Sequence, residues 1–338
     1  MRDVGIIGAS GFTGAELLRL CAQHPDLDVC LATGDTQAGT RAADLYPSLA
    51  AAHPDLVFSA YDADAVAGLE LVFLGLPHGA SQAIVPELIG KVGHLVDLAA
   101  DFRLQDPAMY PRWYGGDHTV PELLGDFAYG LPELFRDEIR AADHVATPGC
   151  YPTAAALALA PLVRAGAVET SGIIVDAASG VSGAGRPPQP TTTFCAVDED
   201  FSAYGLLDHR HTPEMEQVLG GSVLFTPHLA PMNRGILTTC YARPTRATST
   251  EALLELQRVA YAAEPFVVVT DGSPSTKATL GSNCAHVTAR FADRTGWVLA
   301  IAALDNLTKG ASGAAIQCAN LLLDLPETTG LPLAGLYP

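Results

Sequence analysis

The chain has 338 residues, 19 Lys+Arg against 37 Asp+Glu, a formal net charge of -18, and 49% hydrophobic against 17% charged residues. That length predicts two domains of roughly 150 residues each, and the apolar share is too high for a disordered chain. So acidic a chain lacks the basic stripe of a nucleic-acid or anionic-membrane binder, although an anionic small substrate still fits where a pocket is locally basic.

Residues 4–9 form a short Val/Ile-rich run, and residues 13–23 follow with helical spacing at Leu17, Leu18 and Cys21. The strand-like run begins within the first ten residues, which predicts no secretory leader ahead of it. Between run and helix lies Gly8-Ala9-Ser10-Gly11-Phe12-Thr13-Gly14. Glycines in such a turn accept positive φ and let a pyrophosphate approach the backbone at the positive end of a helix. A glycine turn after a strand and before a helix predicts dinucleotide binding by Gly8, Ser10, Gly11, Phe12, Thr13 and Gly14.

Strand-like runs recur at residues 29–33, 71–76, 94–99 and 144–146, with a helical stretch at 81–89. This alternation predicts a parallel sheet with crossover helices. In such sheets ligands gather beyond the carboxyl ends of the strands, which selects Pro77, His78, Gly79, Asp101 and Arg103. The end of the second strand reads Ala32-Thr33-Gly34-Asp35-Thr36. Asp35 suits the ribose hydroxyl of NAD, whereas Thr33 and Thr36 suit the 2′-phosphate of NADP, so both cofactors stay open.

Residues 146–153, Ala-Thr-Pro-Gly-Cys-Tyr-Pro-Thr, run into an Ala/Leu-rich helical stretch at 154–163. Cys150 therefore sits where a tight turn feeds a helix N-terminus, a place that lowers a thiol pKa and stabilises an oxyanion. The other six cysteines (Cys21, Cys30, Cys195, Cys240, Cys284, Cys318) have no C-x-x-C spacing and read as core thiols in a reducing, cytoplasmic compartment. A thiol nucleophile with a dinucleotide points to acyl transfer onto Cys150 followed by hydride reduction of the thioester. His209-Arg210-His211-Thr212-Pro213-Glu214 supplies two bases, His209 and His211, which on a strand would face opposite ways. We give His209 a slight preference. No third ligand joins the pair, so no metal is expected.

Beyond Cys150 the runs at 222–229, 235–243, 266–270, 286–291 and 297–304 are strand-like, with one clear helix at 250–262. They predict an α+β domain built on a mainly antiparallel sheet. An apolar, small-residue helix at 311–323 is expected to return to the first domain. The predicted architecture is an α/β Rossmann-type parallel-sheet domain (1–149 with 311–338) plus an α+β catalytic and oligomerisation domain (150–310). No apolar run reaches the roughly 18 residues of a membrane span.

These residues resemble the N-acetyl-γ-glutamyl-phosphate reductases of arginine biosynthesis, in the semialdehyde dehydrogenase superfamily. The resemblance covers most of the chain: the glycine turn, Leu76-Pro77-His78-Gly79, residues 97–103, Tyr129-Gly130-Leu131-Pro132-Glu133 and residues 148–153. It continues through residues 179–186, 209–214, 227–235 and Asp305-Asn306-Leu307-Thr308-Lys309-Gly310.

The resemblance implies NADPH-dependent reduction of an acyl phosphate to a semialdehyde, with Cys150 as acyl carrier and one of His209 and His211 as acid/base. It implies cofactor contacts from Ser179, Gly180 and Asn306, with Lys309 nearby, and substrate contacts from Arg103, Ser182, Gly183, Arg186 and Arg210. His228 and Arg234 are expected near the site. A homo-oligomer, dimer or tetramer, is implied as well. Aspartate-semialdehyde dehydrogenases share the glycine turn and the thioester chemistry. A sister branch in lysine biosynthesis reduces aminoadipyl phosphate on an acidic carrier, whose docking a net charge of -18 disfavours. A nucleotide-binding regulatory protein with a structural Cys150 is the non-enzymatic alternative.

Overall fold

Six short, mostly apolar runs, the central ones buried on both sides, build the first sheet of the computed structural model, which describes all residues from Met1 to Pro338. They are β1 (Arg2–Ile7), β2 (Leu27–Ala32), β3 (Leu71–Leu74), β4 (His94–Asp97), β5 (Phe127–Tyr129) and β6 (His144–Ala146). The order is β2-β1-β3-β4-β6-β5 and every pairing is parallel. All-parallel strands need crossovers and cover on both faces. Helices Phe12–Cys21, Ser81–Leu88, Pro132–Arg140 and Gly313–Leu322 belong to this unit. Ile7, Val72, Leu74, Leu95, Phe102 and Phe127 share one core cluster.

Helix Gly313–Leu322 is buried over nearly its whole length because small residues, Gly313, Ala314, Ala315 and Ala319, let it approach its neighbours closely. It packs against Pro132–Arg140, and Ser312 Oγ donates to the Thr13 carbonyl at 2.8 Å. Residues Met1–Pro148 with Ala311–Leu331 form this unit, and Gly149–Gly310 with Pro332–Pro338 form the other.

The second unit holds a seven-stranded sheet of β7 (Ile173–Gly180), β8 (Ser202–Ala203), β9 (Val223–Ala230), β10 (Ile236–Ala242), β11 (Val267–Val269), β12 (Ala285–Ala292) and β13 (Trp297–Leu304). Its order is β11-β12-β13-β10-β7-β9-β8. β7 with β9 and β11 with β12 run parallel; the other neighbours are antiparallel. Two-residue alternation on β10 puts Ile236, Thr238, Cys240 and Ala242 on a fully buried face. Helices Cys150–Arg164, Thr212–Leu219 and Thr250–Ala260 cover that face. On the opposite face Ile174, Leu237, Tyr241, Leu299 and Ile301 are only half-buried.

Two expectations change here. Thr212–Leu219 is a helix that the apolar spacing did not announce, and β5 is a strand too short to read from composition. Among the cysteines, Cys21, Cys240, Cys284 and Cys318 are buried, but Cys30 and Cys195 are exposed, so they are not core thiols. Cys30 lies on β2, the edge strand, where alternate side chains face solvent. Burial pushes the Cys21 thiol up to about 12, and Cys240 is raised by burial too.

Candidate active site

The first unit gathers its loops at the carboxyl ends of β1 to β4. Gly8 has φ +85°, and a Cβ there would lie 2.5 Å from the Gly75 carbonyl oxygen. A Cβ at Gly14 would collide with the Ala9 backbone, whereas one at Gly11 would make only ordinary contact, 3.7 Å from the Gly8 carbonyl oxygen. The first and third glycines therefore let the turn pass close to its neighbours, and the second leaves room for a ligand. Helix Phe12–Cys21 has no side-chain cap and no acid in its first turn, so its N-terminal amides remain for an anion. Ser10, Phe12 and Thr13 are half-buried around that end.

Thr33 is not an exposed phosphate ligand. It is buried, its Oγ1 accepts the Gly8 N–H at 3.1 Å, and its carbonyl accepts the Ala9 N–H at 2.8 Å. Its side chain anchors the glycine turn, whereas Thr36 and Asp35 are both exposed.

The loop after β3 wraps around one carboxylate. Asp101 accepts the N–H groups of Gly79 at 2.8 Å, Ser81 at 3.0 Å and Gln82 at 3.3 Å, and His78 Nδ1 stands 2.5 Å from its Oδ1. Burial opposes the charge on Asp101, but His78 and the amides outweigh it and hold the carboxyl below its ordinary value. Pro77 and Gly79 are exposed on the rim, and His78 stacks near Tyr114. Arg103 is buried, its Nη2 donating to the Leu98 carbonyl at 2.8 Å. That contact braces its own loop. Below them, fully buried Asp97 accepts from Ser81 Oγ and the Ala99 N–H through Oδ1, while its Oδ2 has no partner. Burial pushes Asp97 up to about 7.

In the second unit Gly149 caps helix Cys150–Arg164. Its carbonyl accepts the Thr153 N–H and Oγ1, each at 3.0 Å, and its N–H donates to Glu214 Oε1 at 2.6 Å. A Cβ on Gly149 would overlap the ring edge of His211, so the imidazole rests against this residue, next to Cys150. On another side, a Cβ on Gly310 would lie 2.8 Å from the Cys150 Cβ. Cys150 is half-buried, open enough to react and fixed enough to aim.

The two histidines do not lie on a strand and do not face opposite ways. His211 precedes helix Thr212–Leu219, and the two rings are 4.7 Å apart at 70°. His209 Nδ1 accepts the His211 N–H at 3.1 Å, and its ring meets Tyr151, Tyr204 and Phe225 edge-on. Burial, with Arg210 adding to it, lowers His209 to about 4. A group so easily deprotonated is a weak base at neutral pH, and His211 is the ring that lies beside the Cys150 turn, so the geometry gives no support to the slight preference for His209.

Ser179 is buried with its hydroxyl turned back to the Gly180 carbonyl, and Gly183 is exposed. Asn306 is used at both ends, Oδ1 accepting the Gly235 N–H at 2.7 Å and Nδ2 donating to Ser182 Oγ at 2.9 Å. It thus holds the 180–183 loop. Arg186 is half-buried and Arg210 exposed. Arg234 stands 3.6 Å from Asp305, Lys309 is fully buried, and His228 Nδ1 contacts the Ala177 carbonyl oxygen at 3.2 Å.

Glu214, Gly310, Tyr151 and Tyr204 were given no role from sequence. Pro213-Glu214 in a first helical turn was the available signal for Glu214. The tyrosines give no local signal: Tyr204 OH donates to Tyr151 OH at 3.2 Å and Tyr151 OH to the His228 carbonyl at 3.0 Å across distant segments.

Residues 3–142 match the family model of the semialdehyde dehydrogenase NAD binding domain, and residues 150–306 that of the semialdehyde dehydrogenase dimerisation domain. The chain is 50% identical to the N-acetyl-gamma-glutamyl-phosphate reductase of Symbiobacterium thermophilum, covering 99% of both chains. It is 45% identical to that of Alkalilimnicola ehrlichii over 100% of both. Among solved structures, aspartate semialdehyde dehydrogenase II of Vibrio cholerae superposes with a TM-score of 0.72 at 16% identity, over 96% of this chain and 98% of that one. The Candida albicans enzyme with NADP gives 0.72 at 14% identity, over the same shares. The structural likeness speaks for the fold.

Proposed function

The chain belongs to the N-acetyl-gamma-glutamyl-phosphate reductases of the semialdehyde dehydrogenase group, and from that membership we propose that it reduces N-acetyl-γ-glutamyl phosphate to N-acetylglutamate 5-semialdehyde and phosphate. The observation that carries the chemistry is the His211 ring packed against Gly149, one residue before Cys150 at a helix start.

In this reading His211 takes the Cys150 proton, and the thiolate attacks the acyl carbon. The C–O bond to phosphate breaks and its electron pair leaves with the phosphate, giving a thioester on Cys150. When bound at the glycine turn, a nicotinamide cofactor would supply the hydride needed to reduce the thioester carbon. The tetrahedral oxyanion faces amides at the start of helix Cys150–Arg164, and its collapse breaks the C–S bond to release the aldehyde and the thiolate.

The glycine turn fits the cofactor's pyrophosphate, because Gly8 and Gly14 have no room for a side chain and Gly11 is not crowded by its neighbours. We take NADPH as the reductant, with exposed Thr36 meeting the 2′-phosphate; Asp35 beside it is the group that would favour NADH. Ser182, Gly183, Arg186 and Arg210 are assigned to the substrate's anionic groups. We also assign a homo-oligomer, formed on the open sheet face of Ile174, Leu237, Tyr241, Leu299 and Ile301, which light scattering tests. A reducing, cytoplasmic setting suits seven cysteines with no disulfide among them, and no helix is long and apolar enough to cross a membrane.

Iodoacetamide tests the nucleophile. Cys150 should be carboxymethylated with loss of activity and protected by substrate, even though Cys30 and Cys195 are more exposed. Full activity with Cys150 blocked would sink the reading.

A further inference from the structure

Glu214 is a carboxylate buried completely at the centre of the second unit. An isolated buried charge costs several kcal/mol in lost hydration, and an apolar residue of the same volume usually costs less. Its position is therefore informative. Oε1 accepts the Gly149 N–H at 2.6 Å, in the first turn of helix Thr212–Leu219. His211 immediately precedes that helix and lays its ring edge on the same glycine. One helix start thus meets Gly149 twice, through a carboxylate on its N–H and an imidazole on its Cα.

The other side of the Gly149 residue is held as well. Its carbonyl accepts two bonds from Thr153, so both backbone polar groups of Gly149 are engaged. Gly310 stands behind Cys150, where even a methyl group would crowd the Cys150 Cβ at 2.8 Å. The direction in which the thiol leaves its helix is therefore set by what holds Gly149.

We propose that Glu214 is a positioning residue: by gripping the Gly149 N–H from the helix that carries His211, it fixes the Cys150 thiol against the His211 imidazole for acyl transfer. The proposal rests on Cys150 being the acyl carrier. It requires the hydrogen-bond acceptor at this position, not only its volume. A neutral amide oxygen in the same place would serve, and an apolar side chain of equal size would not.

Two near-isosteric variants separate these cases. E214Q keeps an oxygen acceptor, and E214M fills the space without one. Both are compared with the parent by far-UV circular dichroism, by kcat and KM of the phosphate-dependent reaction, and by the pH dependence of Cys150 carboxymethylation, located by peptide mass spectrometry. E214M should lose kcat by roughly tenfold to a hundredfold with KM within about twofold, since misplacement of a reacting pair acts on the chemical step. Its carboxymethylation profile should shift in pH. E214Q should restore both to within about threefold of the parent. E214M with the parent's kcat and carboxymethylation profile would overturn the proposal, and so would equal losses in both variants. If the parent's Cys150 is not the residue whose alkylation abolishes activity, the thioester reading fails instead, and that control is read first.

Discussion

The edge of the His211 imidazole rests on the Cα of Gly149, with no space between them for a methyl group. A residue without a side chain is required here not by an unusual φ, since Gly149 lies at -65°, but by the ring that occupies the place of a Cβ. Gly149→Ala should therefore push His211 away from Cys150 without disturbing the helix that follows. The expected loss is at least roughly tenfold in kcat with circular dichroism unchanged. A variant with the parent's kcat would show that His211 is not held by this contact.

The two histidines should separate cleanly on substitution. His209→Asn keeps a short side-chain acceptor for the His211 N–H, as asparagine readily provides two residues ahead in a turn. It should cost no more than about fivefold in kcat/KM and leave the pH–rate profile intact. His211→Asn should cost about a hundredfold or more and remove from the profile the acidic limb, on which activity falls as the base takes up a proton. The reverse ranking would restore His209 as the base.

Cofactor binding should depend on the glycine turn. Gly8→Ala places a side chain at φ +85° and 2.5 Å from the Gly75 oxygen, a strain of roughly 1–2 kcal/mol before the overlap is counted. Titration should show NADPH binding weakened by about tenfold or more, while iodoacetamide still modifies Cys150. Unchanged NADPH affinity would remove the turn from the cofactor site. Thr36→Ala should lower the preference for NADPH over NADH by about tenfold, the worth of a charge-assisted hydrogen bond.

Stability should carry two opposing pH signatures. Burial raises Asp97 to about 7, above an unfolded value near 3.9, so its contribution is fully present below about pH 4 and lost as pH rises through about 7. His209, lowered to about 4, acts the other way: the unfolded chain takes up its proton first, so stability falls as pH drops from about 6.5 towards 4. Asp97→Asn copies the protonated acid. It should melt close to the parent at pH 4.5 and about 3 °C or more above it at pH 8. A variant that is no better at pH 8 would mean that the buried acid is not the source of the loss.

Much of the fold was legible because its signals are local. The glycine turn, the alternation of apolar runs and the Pro-Gly-Cys step before a helix each occupy one short stretch. What stayed hidden depends on partners far along the chain. The surroundings of His209 and His211 are set by Tyr151, Tyr204, Phe225 and Gly149, none of which their hexapeptide contains. Thr33 looked like a phosphate ligand until its hydroxyl was found on the Gly8 N–H. Arg103, chosen for its place beyond a strand end, also donates to the Leu98 carbonyl of its own loop, which its position in the sequence does not announce. Side-chain direction at a strand end is a tertiary property, and spacing does not report it.

The most direct measurement of the central claim follows nicotinamide absorbance while the reaction runs backwards from N-acetylglutamate 5-semialdehyde, phosphate and NADP. The parent should form NADPH only when phosphate is present, because phosphate must cleave the Cys150 thioester, and Cys150→Ser should lose the reaction by about a thousandfold or more. NADPH formation without phosphate, or a Cys150→Ser enzyme with parental turnover, would contradict the account.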